Sequence, residues 1–122
     1  MNFLKRLFSK KEARPKPKKS RLKNLALKKL RKIEKIKSTE EKFNKFVFIF
    51  RIFIKKSLRI KNQFTHNELI KELEKRDLKP MTKRKITNLS LEINKIEFAN
   101  QELNPIQLEK MFKQLREIIE EV

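Results

Sequence analysis

The side chains suited to acid–base, nucleophilic or metal chemistry are scarce in this chain. It holds one histidine, His66, one aspartate, Asp77, and no cysteine. A structural zinc draws on Cys, His or carboxylate ligands at short spacing, so no metal site is expected. A Ser/His/Asp arrangement would have to recruit His66 and Asp77, and no serine stands in a nucleophile-elbow motif. Glycine is absent too. That removes the Walker and dinucleotide loops, whose glycines let backbone amides approach phosphate. The expectation is a non-enzymatic protein with no catalytic residue, no cofactor and no small-molecule substrate. His66 reads as an exposed, inert residue in the first turn of a helix, and Asp77 as a helix end or a turn. Met81 and Met111 read as core fillers.

Positive charge, by contrast, is abundant. The 34 Lys and Arg outnumber 15 Asp and Glu and leave a net charge of +19. The surplus lies entirely in residues 1–63, where 23 basic side chains face Glu12, Glu34, Glu40 and Glu41; residues 64–122 carry eleven of each sign. Self-repulsion in the first half favours extension or a negatively charged partner, whereas the second half has the balance of an ordinary domain.

The first eleven residues, "MNFLKRLFSKK", combine charge with grease. Phe3, Leu4, Leu7 and Phe8 share one side of a short helix. A solvated tail has no use for that stripe, and neither does an arm that only grips phosphates. A foot on an anionic lipid surface uses both: Phe3, Leu4, Leu7 and Phe8 insert, while Lys5, Arg6, Lys10 and Lys11 meet head groups. Each cation near an acidic leaflet contributes about 1 kcal/mol, and each partly buried apolar side chain about as much. The attachment is expected to be weak and salt-sensitive. No secretory signal is visible. The longest apolar run, "FVFIFRIFI" (46–54), contains Arg51 and falls short of the roughly 20 residues that span a bilayer. The protein is expected in the cytoplasm, peripheral to the membrane.

The elements that would carry these groups read as helices throughout: a small all-α helical bundle with a basic, amphipathic N-terminal helical extension. Residues 1–9 form the amphipathic segment. Residues 10–20, "KKEARPKPKKS", are a basic linker with two prolines and no apolar surface to bury. Ser20 is expected to cap a basic amphipathic helix over 21–38, whose Leu22, Leu25, Ala26, Leu30, Ile33 and Ile36 line one stripe. The bundle occupies 39–122. Its first helix starts at Thr39, with Glu40 and Glu41 at its positive end. Phe43, Phe46, Val47, Phe50, Ile54 and Leu58 form one face, and the 3–4 spacing favours helix over the strand that the aromatic, β-branched composition also allows. Phe48, Ile49 and Ile52 are placed on the opposite side, as a face for a protein partner or for the 22–36 helix.

"FTHNEL" (64–69) carries the strongest local signal. Thr65 and Glu68 form a capping box, with Phe64 and Leu69 at the staple positions. Leu69, Ile70 and Leu73 then face the core. A further helix is expected from a Thr82 cap to about Phe98, with Ile86, Leu89, Ile93 and Ile96 inward. In the last one Asn104 caps, Pro105 takes the first turn and Gln107 completes a second box. Leu108, Met111, Phe112, Leu115, Ile118, Ile119 and Val122 follow as a seam.

"KPMTKRKITN" (79–88) supports an alternative. Capped at Thr82, that helix would crowd Lys83, Arg84 and Lys85 at its positive end, an arrangement that an anion would relieve. With the preceding helix it has the cadence of a helix–turn–helix or winged-helix reader. Lys83, Arg84, Lys85 and Asn88 would then lie at a groove, and the basic arm 10–37 on phosphates. The unit's near-zero net charge weighs against nucleic acid as the partner.

From about residue 40 onward the chain resembles the C-terminal cytoplasmic helical region of BatD-like membrane proteins of the aerotolerance operon. The resemblance rests on "EKFNKFVFIFRIFIKKSL", "FTHNELIKELEKRDL" and "INKIEFANQELNPIQLEKMFKQLREII". It includes the T-x-x-E-L start (Thr65, Glu68, Leu69) and the pair Phe98–Ala99 before the last helix. The resemblance implies an adaptor at the cytoplasmic membrane face, beside a MoxR-type AAA ATPase or a von Willebrand factor A-domain protein. The amphipathic N-terminus would stand in for the transmembrane helix that precedes this region in such proteins.

Overall fold

The computed structural model describes residues 19–99 and 101–122, with side chains from residue 21 onward. The described chain is all-helical, with no strand: α1 (Lys19–Glu34), α2 (Thr39–Leu58), α3 (His66–Glu74), α4 (Pro80–Phe98) and α5 (Pro105–Glu121). None of these helices is long and apolar enough to cross a membrane.

Helices α1, α2 and α5 pack on one another; α4 joins through α5, and α3 packs on α4. One core runs through all five. The basic helix is part of it, since Ala26, Leu30 and Ile33 are buried together with side chains of α2 and α5. Residues 21–38 therefore do not stand apart from the bundle. The rings of Phe46 and Phe112 lie 4.8 Å apart, centroid to centroid, tilted by 43°. Such a pair contributes about 1 kcal/mol beyond its buried area.

Helix α2 is the central element. Ser38 caps it by accepting from the Glu41 amide at 3.3 Å. Its buried set is Phe43, Phe46, Val47, Ile49, Phe50, Phe53, Ile54 and Leu58. At 100° per residue these occupy an arc about 180° wide, half the helix circumference. Ile49, 0% exposed, sits at the edge of that arc. It therefore belongs to the packed arc and not to a second, opposite face with Phe48 and Ile52, where the sequence reading places it. Phe48 is itself partly buried against the core, and Ile52 is half-buried. The expected partner face of α2 is largely consumed by packing.

Thr65 and Glu68 form the expected capping box on α3. The start of α4 differs from expectation. Lys79 is the cap residue, and Pro80 takes the first helical position, where its missing N–H costs nothing. Thr82 thus lies inside the helix, buried, and donates to Glu121 Oε1 at 2.8 Å. Met81, one position into the first turn, is 61% exposed rather than a core filler. Ser20 also falls inside its helix instead of capping it. Asn104 caps α5 by accepting from the Ile106 amide at 2.8 Å, but Gln107 closes no box and donates to Glu92 Oε2 on α4.

Candidate functional site

Because α1 turns Ala26, Leu30 and Ile33 inward, its opposite side faces solvent. That side carries Arg21, Lys28, Arg31, Lys32 and, on the turn after the helix, Lys35, all exposed. At 100° per residue the five lie within an arc about 100° wide and about 21 Å long. None forms an ion pair with a described acidic side chain. Within the strip, like charges meet at i, i+3 and i, i+4, from Lys28 to Arg31 and Lys32 and from those two to Lys35. Each such pair costs about 0.2–0.5 kcal/mol.

The rest of α1 accentuates this separation. Its single acid, Glu34, is held by Arg116 Nη1 of α5 at 2.9 Å. Lys23 reaches the carbonyl of Glu120 at 3.0 Å and so caps the end of α5. The stem of Lys29 is buried, and burial, then the ammoniums of Lys32 and Lys28, lower its pKa. The exposed strip is thus a row of cations from which the neighbouring carboxylate has been drawn away. Chemically it suits a surface of closely spaced anions.

The eight residues expected to meet a membrane, Phe3, Leu4, Lys5, Arg6, Leu7, Phe8, Lys10 and Lys11, lie outside the described residues. The residues of the groove alternative are divided. Lys85 is drawn into contacts with Glu117 and Glu121 of α5; Lys83 is half-buried, while Arg84 and Asn88 are exposed. With Pro80 first in the helix, the three cations lie beyond the first turn, and the crowding at its positive end does not arise.

His66 is not an isolated side chain. Its Nδ1 and Ser90 Oγ on α4 share a 2.8 Å hydrogen bond. The pair lines a cleft of about 310 Å³ that Phe64, Asn94 and Phe98 also border. Ser90 lies mid-helix, where backbone amides are already donated four residues back, so its own helix offers no N–H pair to hold an oxyanion. The bond ties α3 to α4. Spacing along the chain gave no sign of it, because the two residues are 24 positions apart.

A second exposed strip runs along α4. Arg84, Asn88, Leu91, Lys95 and Phe98 follow one another at intervals of four, three, four and three, all on the surface. Phe98 is 74% exposed and Leu91 39%. Here too the acids are turned away: Glu97 accepts from Arg51 at 2.7 Å, and Glu92 from Gln107 at 2.8 Å. Among the described residues, no group of His, Asp and Glu comes together that could hold a metal ion.

No family model, curated protein or solved structure matches the chain.

Proposed function

We propose that this protein is a non-enzymatic adaptor that rests on the anionic, cytoplasmic face of a membrane. The observation that carries the reading is the α1 strip, Arg21, Lys28, Arg31, Lys32 and Lys35, whose mutual repulsion an acidic surface relieves. The helix that carries the strip is held by the core beneath it, so its backbone needs no further ordering to present the cations on one side. The amphipathic segment ahead of it supplies what charge alone cannot. Phe3, Leu4, Leu7 and Phe8 add insertion, and Lys5, Arg6, Lys10 and Lys11 extend the basic contact. A MoxR-type AAA ATPase or a von Willebrand factor A-domain protein is the partner that the BatD-like resemblance suggests.

Co-sedimentation with phosphatidylserine-containing vesicles, set against pure phosphatidylcholine vesicles, tests this. The intact chain is expected to pellet only with the acidic vesicles. Phe3→Glu/Leu7→Glu is expected to weaken that binding by at least about tenfold. Unchanged binding in the variant removes the insertion step.

Nucleic acid is the second reading, favoured by the exposure of Arg84 and Asn88. Duplex binding with a salt slope that drops by about 0.9 for each strip cation removed would support it instead. Because α1 lies in the core, charge substitution and not deletion of residues 1–37 is the fair test.

A further inference from the structure

An adaptor needs a second surface, and packing takes up most of the α2 face that the sequence offers either to a partner or to the basic helix α1. We infer that the exposed strip of α4, Arg84, Asn88, Leu91, Lys95 and Phe98, is a docking surface for an amphipathic helix bearing acidic residues. The inference rests on the adaptor reading for its biological sense, though its chemistry stands independently.

Three observations fix the occupant. The 4-3-4-3 spacing places the five side chains on a single stripe, about 21 Å long and about 80° wide, the footprint into which another helix packs. Two apolar side chains, Leu91 at the centre and Phe98 at the end, lie open to solvent on it. They provide the anchors that helix-in-groove recognition uses. Finally, its charges are of one sign. Arg84 and Lys95 pair with no described carboxylate, and the two acids of α4 are committed to Arg51 and Gln107. A complementary helix therefore carries Glu or Asp flanking its apolar positions.

Charge disfavours a second copy of this chain. Two like strips would bring four cations together on molecules each carrying a net +19. About four helical turns also form a small interface, at the scale of transient contacts, so the complex is expected to be weak and salt-sensitive. Helix α4 and the cationic helix α1 both pack on α5, so the two strips lie on different helices of one packed bundle.

The test uses the full chain in solution, without lipid, so that its outcome is independent of membrane attachment. The probe is a fluorescein-labelled synthetic helix with Leu at its a and d positions and Glu flanking them. A scrambled peptide of identical composition serves as the control, and anisotropy is the readout. The ordered peptide is expected to bind at least about tenfold more tightly than the scrambled one. Leu91→Glu/Phe98→Glu, at two solvent-exposed positions, is expected to remove that difference while circular dichroism and Tm stay near wild type. Equal binding of the two peptides overturns the proposal, as does a preference that survives the double substitution. Self-association abolished by Leu91→Glu assigns the strip to a second copy instead, and oligonucleotide binding lost on Arg84→Glu/Lys95→Glu assigns it to nucleic acid; either overturns it as well.

Discussion

Arg116 of α5 holds the carboxylate of Glu34, the one acid on α1, at 2.9 Å. That contact does more than bind two helices together. It draws the negative charge of α1 toward the bundle and leaves Arg21, Lys28, Arg31, Lys32 and Lys35 uncompensated on the outer side. On α4, Arg51 pairs with Glu97 in the same way, and Gln107 holds the Glu92 carboxylate by a hydrogen bond. The fold separates charge laterally as well as polar from apolar.

Leu30, fully buried on α1, measures how firmly the basic helix belongs to the core. Leu30→Ala is expected to cost about 3 kcal/mol in denaturant-induced unfolding. A loss below about 0.5 kcal/mol would mean that α1 is an appendage with no part in the core.

Arg59, which ends α2, adopts φ 56° and ψ 44°, a left-handed conformation in which a Cβ is unfavourable. Arg59→Gly keeps the terminating bond from the residue 59 amide to the Lys55 carbonyl and relieves that strain. The expected gain is about 1 kcal/mol, seen as a higher denaturation midpoint at unchanged m. A lower midpoint contradicts the assignment of strain.

At the far end of α5, Glu121 receives bonds from Lys85 and Thr82, and these hold its carboxyl below the ordinary 4.5. A depressed carboxyl contributes stability that is present above its unfolded value and lost as pH falls through the folded one. Lys85, raised above 10.5 chiefly by its bond to Glu121, contributes stability that is present below that value and lost as pH rises through the raised one. Glu121→Gln is therefore expected to lower Tm at neutral pH, with the gap from wild type closing below pH 4.5. A gap of constant size down to acid pH would show that the bond contributes through packing instead.

Local chemistry was the legible part of the fold. The Thr65–Glu68 capping box, the Asn104 cap with Pro105 behind it, and the α5 seam all follow from residue types at fixed short spacings, which tertiary context did not disturb. The differences have separate physical causes. Periodicity divides α2 into two apolar faces and sets Ile49 on the second, whereas a helix packed on two neighbours buries half its circumference and joins Ile49 to the first face. Thr82 looked like a cap by composition, but a proline two positions earlier starts the helix, and the hydroxyl is used across the bundle by Glu121. Gln107 likewise found a partner on another helix. The basic face of α1 was visible as an excess of Lys and Arg. Its sharpness was not, because it depends on where Glu34 and Lys23 find partners some 82 and 97 residues away. Of the α4 strip, Arg84 and Asn88 are legible as groove candidates, but the exposure of Leu91 and Phe98 beside them is not, because it depends on which side of α4 packs on α3 and α5.

The central claim is that the place of the cations, not their number, makes the anion-facing surface. Equilibrium binding to phosphatidylserine-containing vesicles should be compared for two quadruple variants of equal net charge. One is Lys28→Glu/Arg31→Glu/Lys32→Glu/Lys35→Glu on α1; the other is Arg84→Glu/Lys95→Glu/Lys110→Glu/Lys113→Glu on exposed positions of α4 and α5. The first is expected to lose at least about a hundredfold in affinity, from roughly 1 kcal/mol per strip cation, and the second much less. Equal losses from the two variants would contradict the account.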